Sequence, residues 1–146
     1  MVTPYGVKVT YYRDTEFKEV SGRGIETSLV KDYEDVRPTP KTPRNGWSSR
    51  WEGYLVAPVT TDYVLIGQSV DGLRIFIDDD MVLNRWREQK WEDSWMKKTV
   101  TMTAGKHAIR VECFNLSGNG ALNIRWCGGP IEKPETIGVP NLRLRP

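Results

Sequence analysis

A two-residue alternation of apolar and polar side chains runs through most of this chain and limits what it can become. Leu73, Ile75 and Ile77 share one side of a run whose other side carries Arg74 and Phe76. Val100 and Met102 alternate with Thr99, Thr101 and Thr103; Ile109, Val111 and Cys113 alternate with Arg110 and Glu112; Leu122, Ile124 and Trp126 repeat the pattern. Successive side chains of an extended strand point to opposite faces, so each run predicts a strand with one buried and one open face, where a helix would need a period of about 3.6. Turn-forming residues separate the runs at 61–62, 79–80, 104–105 and 117–120. Adding extended runs at 7–12, 51–57, 63–67 and 81–84 gives about eight short strands, the signature of a sandwich or barrel. The expected fold is all-β: an antiparallel two-sheet β-sandwich, jelly-roll-like, with long surface loops.

The rest of the sequence interrupts that rhythm. Residues 18–46 are polar, carry Pro38, Pro40 and Pro43, and show only a loose apolar grouping at Ile25, Leu29, Val30 and Tyr33. They predict a long surface excursion with one or two helical turns. Residues 85–97 mix charge with Trp86, Trp91 and Trp95, and a loop of that length is usually functional or pinned by its own side chains. Residues 128–146 contain Pro130, Pro134, Pro140 and Pro146 and predict an extended tail or linker. The 146 residues suit one domain, 1–146, with its core at about 5–127.

Bulk properties exclude several classes. The chain has 21 basic and 19 acidic residues interspersed along its length, so its net charge recruits neither nucleic acid nor an anionic membrane. No apolar run approaches the ~20 residues that span a bilayer, and Met1-Val2-Thr3-Pro4 lacks a secretory leader's pattern. An exported parent would therefore carry its address upstream. If 106–114 and 121–126 form a hairpin, Cys113 faces Leu122 and Cys127 lies ~15 Å further along, beyond the ~7 Å Cα separation a disulfide tolerates. Two free thiols are expected.

No catalytic constellation is visible. The single histidine, His107, follows a turn at the head of a strand without a nucleophile nearby, and reads as a hydrogen-bonded strand-end residue. Asp78, Asp79 and Asp80 read as the chemistry of a tight hairpin turn, with Asp79 where glycine or asparagine is favoured. A hard cation needs six to eight oxygens. Asp71 offers a carboxylate on one loop, and Asn115 and Asn119, in the 115–120 loop, offer amide and main-chain oxygens. The alternative for Asp71 is a cap on its own turn. Trp86, Trp91 and Trp95 are either sugar-facing rings or clamps that hold their loop to the sheet, whereas Trp51 and Trp126, on alternating strands, belong to the core.

Four blocks in order carry a resemblance: residues 49–58 (SRWEGYLVAP), 69–78 (SVDGLRIFID), 81–86 (MVLNRW), and 104–114 (AGKHAIRVECF) followed by 121–126 (ALNIRW). Together they resemble the domain named after anthrax protective antigen, a β-sandwich also inserted in bacterial glycosidases, yeast flocculins and adhesins. The likeness extends from about Val7 to Trp126. In sugar-binding members, two consecutive aspartates joined by a cis peptide hold a calcium ion that coordinates sugar hydroxyls, and a second loop completes the site. Asp71 matches the second aspartate, Val70 stands at the first without a side-chain oxygen, and 115–120 matches the second loop.

The resemblance implies a lectin-like, adhesin-like binding module that is not an enzyme and lies outside the cell or on its surface, as part of a larger exported protein. The expected ligand is a carbohydrate, recognised by Asp71, Asn115, Asn119, Trp86 and Trp91, with weak assistance from calcium held by Asp71, Asn115 and Asn119. The alternative is a structural or protein-interaction module docking to a neighbouring domain of the same parent.

Overall fold

The structure, a computed structural model, describes residues 4–34 and 36–146. Met1, Val2 and Thr3, to which the leader reading and the expected start of the domain extend, lie outside the described residues. The regular elements are β1 (Val7–Tyr12), β2 (Val20–Glu26), β3 (Val30–Asp32), β4 (Trp47–Ala57), β5 (Thr61–Val70) and β6 (Leu73–Ile77). After them come β7 (Asp80–Arg85), a 3-10 turn at Trp91–Asp93, β8 (Met96–Met102), β9 (Gly105–Asn115), β10 (Ala121–Gly128), β11 (Ile131–Thr136) and β12 (Leu142–Arg143).

Two antiparallel sheets face each other. The first runs β2-β1-β4-β9-β6-β7, with β12 also on β4; the second runs β11-β10-β5-β8, with β3 also on β10. Register explains the core. Val9, Trp51, Val111, Ile75 and Leu83 lie opposite one another across five strands of the first sheet, and all are buried. Tyr63, Leu65, Leu122, Ile124 and Trp126 meet them from the second sheet, where Tyr63 and Trp126 stack at 5.2 Å. Each fully buried large apolar side chain contributes about 1.5–3 kcal/mol of transfer free energy. The alternating face read from the sequence is thus the face that joins the sheets.

Three expectations are corrected. The 18–46 stretch is not helical: β2 pairs with β1 and β3 with β10. Leu29 and Tyr33, four residues apart, suggest a helical face, yet both are buried in the core on either side of β3 while Ile25, in β2, is 58% exposed. The 128–146 segment, expected as an extended tail outside a core at about 5–127, adds to the sheets and the core: β11 pairs with β10, β12 with β4, and Ile137 and Leu142 are fully buried. Finally, β9 and β10 do not form a hairpin. β9 lies between β4 and β6, and β10 lies in the other sheet. Cys113 and Cys127 are both free thiols, but sheet crossover rather than hairpin offset separates them.

The β6–β7 turn behaves as read. Asp78 and Asp79 take φ of 50° and 68°, the left-handed pair that a two-residue hairpin turn uses. Asp78 also fastens the neighbouring strand: Oδ1 accepts from the Ala108 amide at 3.0 Å and Oδ2 lies 2.6 Å from His107 Nδ1.

Candidate functional site

Five loops meet at one end of the sandwich: 13–19, 33–46, 71–72, 86–95 and 116–120. Backbone bonds join them in series. Gly46 N donates to the Asn115 and Leu116 carbonyls, Tyr33 N to Gly120 O, and Asp71 N to Phe114 O at 2.7 Å. Ser48 Oγ donates to Asp14 O at 2.6 Å. Beneath them Tyr11 and Tyr33 share a hydroxyl bond of 2.9 Å, with Tyr33 edge-on to Trp47 at 5.1 Å. Burial pushes the Tyr11 hydroxyl pKa up to about 12 and Tyr33 well above its ordinary value, so both stay neutral hydrogen-bonding groups.

Asp71 is the centre of this rim, and it is buried, with 3% of its surface exposed. Its Oδ1 accepts from the Gln89 amide at 3.0 Å and its Oδ2 from the Leu116 amide at 2.8 Å. Its carbonyl accepts from Gln89 Nε2 at 2.8 Å and Ser69 Oγ at 2.5 Å. One residue therefore ties the 86–95 loop and the 116–120 loop to the end of β5. The peptide bond between Val70 and Asp71 is cis. Gly72 follows because nothing larger fits: a Cβ there would lie 2.1 Å from Phe114 Cε2. The expectation that Asp71 is displayed at the lip, or caps its own turn, gives way to a buried carboxylate that caps two remote loops.

The other candidate residues separate. Asn115 is buried, with Nδ2 donating to Gly118 O at 3.1 Å and Oδ1 lacking a hydrogen-bond partner among the described residues. Asn119 reaches away to Asp32, donating to Oδ1 at 2.8 Å, and this bond lowers the Asp32 pKa. Trp86 is half-buried against Phe114, at 4.7 Å between ring centroids, with the Arg74 guanidinium 3.7 Å over its ring. Trp91 is half-buried at the head of the 3-10 turn, where its carbonyl accepts from Ser94 Oγ at 2.7 Å. Trp95 is 46% exposed beneath Arg125.

This donor set does not fit calcium. Val70 has no side-chain oxygen, each Asp71 oxygen already accepts a main-chain N–H, and Asn119 turns its amide toward Asp32, away from Asp71. Asn115 Oδ1 and Gln89 Oε1 are buried acceptors without a partner among the described residues, and two neutral oxygens fall far short of the six to eight the ion takes. No group of three or more His, Cys, Asp or Glu side chains suited to a metal occurs among the described residues.

Sequence reading missed Gln89, whose buried amide bridges Asp71 and Ser69, since a glutamine in a polar loop gives no signal. It also missed a charged cluster on the outer face of the first sheet. Glu112, buried, accepts from Arg50 Nε at 2.8 Å and pairs with Arg74 Nη2 at 3.0 Å, while Arg110 Nε lies 3.7 Å away. The alternating outward positions 74, 110 and 112 were visible as charges, but not their convergence.

The architecture defines a two-sheet β-sandwich domain whose loops are stapled into one rigid rim. The chain belongs to the PA14 domain family, whose model matches residues 4–136. It is 22% identical over 137 residues to anti-sigma-I factor RsgI3 of Acetivibrio thermocellus, an alignment covering 94% of this chain and 21% of that protein. Among solved structures it resembles an anti-sigma factor domain-containing protein, with TM-score 0.88, 19% identity, and coverage of 97% of this chain and 48% of the other. It also resembles a PA14 sugar-binding domain from an RTX adhesin, with TM-score 0.78, 14% identity, and coverage of 97% and 99%. The chain thus spans about a fifth of its curated relative and about half of the anti-sigma structure. No helix among the described residues is long and apolar enough to cross a membrane.

Proposed function

We propose that this chain is a non-catalytic carbohydrate-binding module that needs no calcium ion and serves a larger exported protein at or outside the cell surface. The observation that carries the reading is the seating of Trp91, half-buried, on a loop that Asp71 locks to its neighbours. A rigid, partly exposed indole binds a sugar face with little ordering penalty. The similarity to a PA14 sugar-binding domain from an RTX adhesin supports the same class of ligand.

The test is a glycan array probed with calcium and again with chelator. The expected result is at least one glycan bound equally in both conditions and lost in Trp91→Ala. An array with no binder in either condition defeats the reading.

A second reading, docking to a neighbouring domain of the same parent, is favoured by the anti-sigma relative, of which this chain is only a minor part. The two part on a melt. A glycan at 100 times its Kd stabilises the native state by about 2.7 kcal/mol, whereas a docking module shows no shift with sugar.

A further inference from the structure

The outer face of the first sheet is far more basic than the chain as a whole. Register places Thr10, Arg50, Glu112 and Arg74 opposite one another across β1, β4, β9 and β6, with Arg23 of β2 beside Thr10. The next outward row is Lys8, Glu52, Arg110 and Phe76. Over this second row lies a groove of about 460 Å³ that Asp79 and Arg145 also line. Counting both rows and these two lining residues, six cations face three carboxylates. That surplus of three exceeds the net +2 of the entire chain. Opposing charge elsewhere must therefore compensate, and the local field here is positive.

The arginines are also held in place. Arg50 lies 4.5 Å over Phe17, Arg74 lies 3.7 Å over Trp86, and Arg110 lies 4.1 Å over Phe76. All three converge on Glu112; Arg110 Nη1 also lies 3.6 Å from Asp79 and Arg50 Nη1 donates to the Tyr12 hydroxyl at 3.3 Å, while Arg74 Nε and Arg110 Nε, both buried, have no hydrogen-bond acceptor among the described residues. These few acceptors do not saturate the fifteen N–H groups of three planar forks. Stacking fixes each guanidinium plane in advance, which lowers the ordering penalty when a planar anion arrives. The side chains remain 27–34% exposed, so solvent reaches them.

From this arrangement we infer that the outer sheet face is a second binding surface, adjoining the loop rim at Phe17 and Trp86, for an anionic polysaccharide whose units carry carboxylates, a polyuronate. Arginine forks match carboxylates in a bidentate way. Glu52 and Asp79, set among the cations, accept hydrogen bonds from hydroxyls, so the face suits a ligand with carboxylates and hydroxyls on the same unit. An acidic peptide brings the carboxylates without the hydroxyls. It also gains no main-chain pairing on a sheet face whose interior strands are already bonded on both sides.

The inference is independent of which neutral sugar the rim takes. The experiment measures binding of polygalacturonate to the whole chain over a salt series, beside a neutral galactan and poly-L-glutamate of matched length. The variants are Lys8→Ala/Arg145→Ala, Arg110→Gln and Trp91→Ala. Because Arg110 also balances Glu112, the exposed Lys8 and Arg145 pair reports on the surface without touching the fold. Expected is polygalacturonate binding that weakens with salt, falls five- to tenfold in Lys8→Ala/Arg145→Ala and further in Arg110→Gln, and stays within twofold in Trp91→Ala. Poly-L-glutamate should bind at least tenfold more weakly. No polygalacturonate binding overturns the inference, as does binding lost in Trp91→Ala but kept in the double variant, which moves the ligand to the rim and leaves the proposed function standing. Equal binding of poly-L-glutamate overturns it in favour of an acidic protein partner. Galactan binding confined to the rim, without polygalacturonate, separates the two proposals in the same way.

Discussion

Replacing Asp71 by alanine distinguishes a carboxylate that staples loops from one reserved for a cation. Its two oxygens accept the Gln89 and Leu116 amides at 3.0 and 2.8 Å. Stripping a buried donor of its acceptor costs about 1–3 kcal/mol, more when the lost acceptor is charged. Gln89 is buried, so its amide lies toward the top of that range. Leu116 is 40% exposed and its amide can rehydrate, which places it toward the bottom. Together these amount to roughly 3–4 kcal/mol, or a fall of about 10 °C in Tm for a domain near this size. The carbonyl bonds of Asp71 to Gln89 and Ser69 survive the substitution, which keeps the figure from rising further. Asp71→Asn should fall between the two, since its amide oxygen keeps one donor while its NH2 group faces the other. The assay is urea and thermal unfolding in chelator, with the m-value checked for constancy. A carboxylate poised for a metal behaves in the opposite way: without the ion it is an uncompensated buried charge, and removing it leaves stability unchanged or raises it. A loss of less than about 0.5 kcal/mol in chelator, together with a calcium-induced rise in the parent's Tm, refutes the staple.

Other consequences are measurable on the same material. His107 has its pKa pulled down by burial but raised more strongly by Asp78 at Nδ1 and the Thr103 carbonyl at Nε2, so its folded value lies above the ordinary 6.5. The stability this pair contributes is therefore complete below about pH 6.5 and is lost as pH climbs through the raised folded value; urea titrations from pH 5.5 to 9 should show that decline, and His107→Gln should flatten it. Leu142→Ala, in the segment that resembles a linker, should destabilise by about 2–5 kcal/mol, as for any fully buried leucine, and an effect below 1 kcal/mol means the tail is not docked. Cys113 is fully buried, with its thiol pushed up to about 12 by burial, whereas Cys127 is half-buried. A thiol reagent at pH 8 should modify Cys127 alone until denaturant is added, and fast modification of both refutes the sheet assignment of β9.

The central strands were legible because both of their faces report on their surroundings. In β6 and β9 one face meets the core and the other meets water, and the two-residue rhythm records this directly. The edge strands were not, because β2 and β3 have no such contrast: β2 carries Gly22 and Gly24 and buries only Ser21, and β3 is three residues long. Their pairing follows from the needs of β1 and β10, which a local window does not contain. β11 and β12 are hidden in the same way by prolines, which edge strands tolerate because one side of the backbone is unpaired.

The rim follows the same logic at the level of chemistry. Asp71 could be found from the glycine-bearing loop before β6, but whether its oxygens face solvent or main-chain amides depends on loops 18 and 45 residues away in sequence. With those amides in place, each carboxylate oxygen carries a main-chain N–H, and Val70 adds no side-chain oxygen beside them. The outward charges follow a different route. Arg74, Arg110 and Glu112 look like an ordinary solvated face in sequence, and become a receptor only when β4 adds Arg50 beside β9 and Phe17, Trp86 and Phe76 stack the guanidiniums flat. The face that remains chemically unsatisfied is the basic one, where three arginine forks crowd around Glu112 with only Asp79 as a further carboxylate, and ligand mapping should begin there.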